Sequence, residues 1–335
     1  PPPPPPPPRS PAQPKGFVMK IGRNFVCAGM LAFLVSSPVL AAPVPDRLTP
    51  ADADMVVAID VRQMLRTPVV QKHALDPLQT LLKRNDELRQ LLAAAGLDPL
   101  KDIRTIGLST SGNPAGKGKL LAVVRGNFDP DKAKTAAEEY AKKHSGRIKA
   151  LTEGELPMWE ITSDNKSFFA AFAGKSALVM TASKEDTVAA VRRADGPPQR
   201  LNKELQAALE KVPGGESAWM AMVATEQVKQ LLQSDDTAKD FAEALQSVTG
   251  TLELTDDALL TLVVHSSNAE AAAQIKSKLD DLLKVFAFVG AGRDGSGQIV
   301  KDVLGSIKLG TDKNDVSIRV KLTGAQIEKA RQKKQ

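Results

Sequence analysis

Cysteine is nearly absent: the chain has one, Cys27, inside an apolar stretch close to its start. If that stretch is removed, the remaining chain has no thiol. Disulfides, thiolate nucleophiles, Cys-based zinc sites and iron–sulfur clusters are then excluded together. Histidine is almost as scarce. His73, His144 and His265 are too scattered to form a local metal motif. Aromatic residues make up only 4% of the chain, so its core must be built mainly from Leu, Val, Ile, Ala and Met. An excess of one charge is lacking too, once the first residues are set aside. The net +6 rests on 45 basic against 39 acidic residues; removing residues 1–41 takes away Arg9, Lys15, Lys20 and Arg23 but no acid, which leaves +2. No basic patch interleaved with aromatics remains, and nucleic acid is not an expected partner.

What is present begins with eight prolines and a Pro-rich run to Pro14, ahead of the first methionine, Met19. Such a run is extended polyproline and packs no core; residues 1–18 are expected to lie upstream of the true start. After Met19 come a basic pair, Lys20 and Arg23, an apolar run over residues 25–35, a break at Ser36-Ser37-Pro38, and the small-residue end Val39-Leu40-Ala41. That order describes a secretory signal peptide over residues 19–41. Residues 25–42 are also long enough to span a bilayer, at roughly 18 residues, so a membrane association is expected only through an uncleaved signal segment. Cys27 sits too early in the run for a lipoprotein signal. The predicted location is periplasmic or secreted.

The mature chain reads as two α+β domains, residues 46–196 and 197–335, the second a divergent repeat of the first. The clearest unit is a strand, a polar turn and an amphipathic helix over residues 120–144, which returns over residues 260–283. Three further alignments accompany it: residues 55–64 with 219–228, 103–109 with 248–254, and 177–191 with 316–330. Hairpin turns between consecutive strands predict, in each domain, a mainly antiparallel sheet with helices packed on one face. A long leucine-rich helix is expected after the first strand, restarted at Asp76-Pro77 and stopped by Gly96.

The candidate chemistry is thin. Residues 290–295 spell G-x-G-x-x-G, but the apolar residues before them continue a helix, so the glycines read as its end and no dinucleotide site is assigned. Residues 107–111 nearly form a nucleophile elbow around Ser109, but Ser111 stands where glycine is needed and the segment should run into a hairpin. Ser163 and Lys166 fit S-x-x-K yet lie between strands, and residues 321–324 supply no K-T-G partner. His265 aligns with Arg125, which suggests a solvated strand end in both halves, while His144 is placed at a helix C-terminus. The acid pair Asp52/Asp54 lacks the ligand density of a calcium loop, and Asp129 is read as a helix cap. Trp159, Trp219 and Phe168-Phe169 are read as core. No residue is assigned as catalytic, cofactor-binding or metal-ligating.

Residues 49–65, which include an Ala-Asp-rich opening before the first strand, together with residues 97–102, resemble exported bacterial proteins of unknown function of the kind numerous in planctomycete-like genomes. The resemblance implies an envelope location and carries no functional residue with it. The expectation is therefore an exported, non-catalytic binding or structural protein of the bacterial envelope, with a protein or polymer partner. The alternative is a hydrolase of an envelope or extracellular polymer whose carboxylates are dispersed along the sequence.

Overall fold

The computed structural model describes residues 43–332, apart from 85, 113–117, 144–146, 164–165, 235–238, 240 and 291–296. The first half holds β1 (Met55–Asp60), α1 (Val61–Arg66), α2 (Pro68–His73), α3 (Leu75–Arg84), α4 (Asp86–Ala94), α5 (Pro99–Asp102), β2 (Ile103–Ser111), β3 (Lys119–Gly126), α6 (Pro130–Lys143), β4 (Ile148–Glu153), β5 (Leu156–Ser163), β6 (Lys166–Phe172), β7 (Ala177–Thr181) and α7 (Lys184–Arg193). The second holds α8 (Lys203–Leu209), β8 (Ala218–Val223), α9 (Glu226–Gln233), β9 (Leu245–Leu254), β10 (Ala258–Ser266), α10 (Ala269–Gly290), α11 (Gly297–Ser306), β11 (Ile307–Asp312), β12 (Asp315–Leu322) and α12 (Gly324–Gln332). The chain is α+β, and every strand pairing in it is antiparallel.

Local chemistry sets most boundaries. Asp60, Ser183, Asn202 and Thr225 each accept a hydrogen bond from a backbone N–H in the first turn of the helix they precede, which satisfies a donor that the helix itself cannot. Gly96 closes the leucine-rich region in the left-handed conformation (φ 64°), which glycine adopts without steric cost. That region is α3 and α4, the first of them amphipathic with no buried residue. In the two strand–turn–helix units, the Asp129 carboxylate accepts from Lys132 N at 3.1 Å and the Asn268 side chain from Ala271 N at 2.8 Å. Several short elements, α1, α5, α9, α11 and β11, have no counterpart in the sequence reading; the β11–β12 hairpin turns at Lys313 (φ 52°).

The strands form one sheet in the order β11-β12-β10-β9-β8-β1-β2-β3-β7-β6-β5-β4. The two halves meet at β1 and β8, where Val56 pairs with Ala221 and Val57 with Met220. Outward from that seam the order is β1-β2-β3-β7-β6 on one side and β8-β9-β10-β12-β11 on the other. The residue alignments do not all keep this geometry. Leu120 and Leu260 share a face and are both 37% exposed. Aligning Met55 with Trp219, however, sets Val56 against Met220, which lie on opposite faces. A one-residue slip reverses every side chain of a strand; Met55, Ile106 and Ala177 were each aligned one residue out of phase.

Helices lie against both faces. On the front face, α7 covers Leu121, Val123 and Val179, and α8 covers Val56 and Ala221. On the back, α10 packs Ala272 and Ile275 against Val316 and Val264. Between α7 and α8 runs the segment 46–53. Leu48 and Ala53 are fully buried there, and its backbone is held by Arg193 Nε to Leu48 O (2.9 Å) and Asn202 Nδ2 to Ala53 O (2.6 Å).

Candidate functional site: a cavity at the seam and an open apolar face

A cavity of about 300 Å³ lies where the two halves join on the front face. Its floor is β1, β2 and β3 with Trp219 of β8; Pro43, Val44 and Asp46 form one wall and Gly214, Gly215 and Glu216 another. The room exists partly because Gly107 lacks a side chain: a Cβ there would meet nothing nearer than Asp46 Cβ at 3.8 Å. Gln63 Nε2 donates to Gly215 O at 2.8 Å and fastens the second wall.

Three carboxylates line this cavity. Asp46 takes two hydrogen bonds from Arg125, at 2.7 and 2.8 Å, and that pairing raises the Arg125 pKa above its ordinary value. Asp60 accepts from Gln63 N at 2.7 Å as the cap of α1. Glu216 is held above the usual carboxylate range by burial and, secondarily, by Glu253. One acid with an elevated pKa can donate a proton, but hydrolysis by paired carboxylates needs a second group free to act as base or nucleophile. Asp46 and Asp60 are committed elsewhere.

A second constellation sits further along the front face. Thr249 Oγ1 lies 3.0 Å from His265 Nε2, and His265 Nδ1 lies 2.9 Å from Asp315 Oδ1. An ionised carboxylate only accepts, so Nδ1 carries the proton, Nε2 of the neutral ring accepts, and the threonine hydroxyl donates. The connectivity matches a hydroxyl–imidazole–carboxylate relay. Its access does not: Thr249 is 4% and His265 3% exposed, and neither lines the seam cavity. The chain of bonds therefore satisfies a buried imidazole. The expectation of solvated strand ends at Arg125 and His265 was wrong for both, because each finds a carboxylate partner as it leaves water.

Burial lowers the His265 pKa from 6.5, Asp315 opposes that shift, and Lys211 adds to it. The unfolded chain then binds a proton that the folded one resists. Stability is fully present above about pH 6.5 and falls as pH drops below it, with a slope of at most about 1.4 kcal/mol per pH unit. Urea titrations between neutral and mildly acid pH should show this loss, and His265→Gln should flatten it.

The back face of the central strands is apolar and incompletely covered. Met55, Val57 and Ile59 of β1, Ile106 and Leu108 of β2, Met220 and Met222 of β8, and Val248 and Leu252 of β9 are each partly exposed, flanked by Leu120 and Leu260. None of these side chains is buried. Partly exposed apolar side chains gathered on one face offer a place of contact, and methionine adapts to irregular partners.

No family model matches the chain, and neither does any curated protein. Among solved structures, the one titled "Structure of crystal form I of TP0453" aligns with a TM-score of 0.44 at 9% identity, covering 88% of this chain and 98% of that one. Among the described residues no helix is long and apolar enough to cross a membrane, and no group of three or more His, Cys, Asp or Glu is placed to hold a metal ion.

The residues singled out in the sequence are dispersed. Ser109 lies within β2, 3% exposed, and borders the seam cavity. Ser163 and Lys166 face each other across the β5–β6 hairpin. Gly290 ends α10, and residues 291–295 of the glycine-rich run, like His144, lie outside the described residues. His73 Nδ1 is 2.9 Å from Glu328 Oε2 and ties α2 to α12. Asp52 pairs with Lys119, and Asp54 accepts from Gly112 N at 2.8 Å. Trp159 is core, edge-on to Phe172 with centroids 5.7 Å apart. Trp219, also read as core, lines the seam cavity. Sequence reasoning missed Glu216 and Asp46, which no local motif marks.

Proposed function

We propose that the protein is an exported, non-catalytic binding protein of the bacterial envelope, released by cleavage near Ala41, which presents the open apolar face of its central strands to a protein or polymer partner. The observation that carries this reading is that face: apolar side chains of β1, β2, β8 and β9 share it on both sides of the seam, and each is partly exposed. Export is supported by the basic, apolar and small-residue order of residues 19–41. Origin of domains 46–196 and 197–335 by duplication is supported by the equal strand order on either side of β1 and β8.

An environment-sensitive apolar dye tests the surface. The native chain should enhance its emission, and the double change Leu120→Lys with Leu260→Lys should lower that enhancement while far-UV circular dichroism stays unchanged. A native chain that leaves the dye dark would refute the reading. The hydrolase alternative draws on one observation, the raised pKa of Glu216 beside an open cavity. Turnover of pooled glycans, peptides or esters that is abolished by Glu216→Gln would establish it in place of the first.

A further inference from the structure

A smaller pocket, of about 110 Å³, lies beyond the seam cavity on the front face, enclosed by β2, β3, β7, α7 and the segment 50–52. At roughly 30 Å³ per water it holds three or four water molecules or one very small organic molecule. Ser111 is one of the residues that border it; its Oγ is buried and has no hydrogen-bond partner among the described residues, and the residue is 7% exposed. A buried hydroxyl left unpaired is costly, so the group calls for a ligand atom.

The charges around it are balanced. Lys119 and Arg193 face Asp52 and Asp186. Arg193 spends its Nε on Leu48 O, and its Nη groups carry no hydrogen bond among the described residues. Burial lowers its pKa, opposed by Asp52 and Asp186, which lie near it without hydrogen-bonding to it. Lys119 reaches Asp52 only at 3.5 Å, longer than a charge-assisted bond of about 2.8 Å. Asp186 takes one bond, from Ser183 Oγ at 2.7 Å. A simple anion would meet two carboxylates here, and a simple cation would meet two bases.

We propose that this pocket binds a small zwitterion, an α-amino acid of about the size of glycine, alanine or serine. Its carboxylate sits against the Arg193 Nη groups and Ser111 Oγ, its ammonium turns to Asp52 and Asp186, and Leu121 and Ala189 leave room for a methyl group.

The test is titration of the purified chain with L-alanine, followed by calorimetry and by amide chemical shifts, with acetate and methylammonium as separate arms. Alanine should bind saturably and shift the amides of Ser109, Ser111 and Arg193. Acetate and methylammonium should each bind at least about tenfold more weakly, since each lacks one charged contact. Ser111→Ala should weaken alanine roughly tenfold, the worth of one hydrogen bond to a charged group, while melting temperature holds or rises. Absence of saturable alanine binding overturns the proposal, as does acetate binding equal to alanine or a Ser111→Ala chain that binds like the parent.

Discussion

Leu48→Ala should destabilise the protein by about 3 kcal/mol, within the range for emptying a fully buried leucine site. Leu48 has no exposed surface and packs with Leu121, Val123, Met158 and Val179, so its truncation leaves a void walled by strands and α7. The surroundings have little freedom to close over it. Its carbonyl is held by Arg193, its N–H by Asp46 Oδ1 at 2.9 Å, and the adjoining Arg47 Nη2 bonds Gly196 O at 2.6 Å. Urea unfolding should show a lowered midpoint with an unchanged slope. Val44→Ala, at a side chain 85% exposed, should leave the midpoint in place.

Gly126→Ala is the second large effect, expected at about 2–3 kcal/mol of overpacking. A Cβ at this position would stand 2.5 Å from Asp102 O and 2.8 Å from Phe128 Cζ. Neither neighbour gives way cheaply. The Asp102 carbonyl accepts from Asn127 N at 3.0 Å, and the Phe128 ring is buried against Phe172 with centroids 5.6 Å apart. Gly107→Ala is the control, because the nearest atom to its Cβ is 3.8 Å away and the side chain enters the seam cavity. Thermal melts of the two variants should separate widely, the first falling by several degrees and the second staying near the parent.

These effects mark where the sequence was informative. Strands such as Met55–Asp60 and Ala177–Thr181 were legible from their β-branched, apolar runs, and helix starts at Asp129 and Ser183 from cap chemistry. Such signals are local. Register is not: no residue of β1 shows that Val56 will lie beside Ala221, and three of the four repeat alignments therefore slipped in phase. The sites fail to show for the same reason. Asp46 meets Arg125 across 79 residues, Arg193 meets Leu48 across 145, and His265 meets Asp315 across 50. Each ionisable side chain among them reads alone as an ordinary surface group. Only the sheet brings them together, and only burial makes their pairing necessary.

The meeting of β1 with β8 also orders the folding of the chain. The hairpins β2–β3, β5–β6, β9–β10 and β11–β12 close over short separations, whereas the seam joins Met55–Asp60 to Ala218–Val223. Non-local pairings form slowly, because chain entropy is lost before contacts compensate for it. Until the second half folds, one side of β1 presents unpaired N–H and C=O groups, a template for pairing with another chain. Until β8 is delivered, the centre of the finished sheet is an edge.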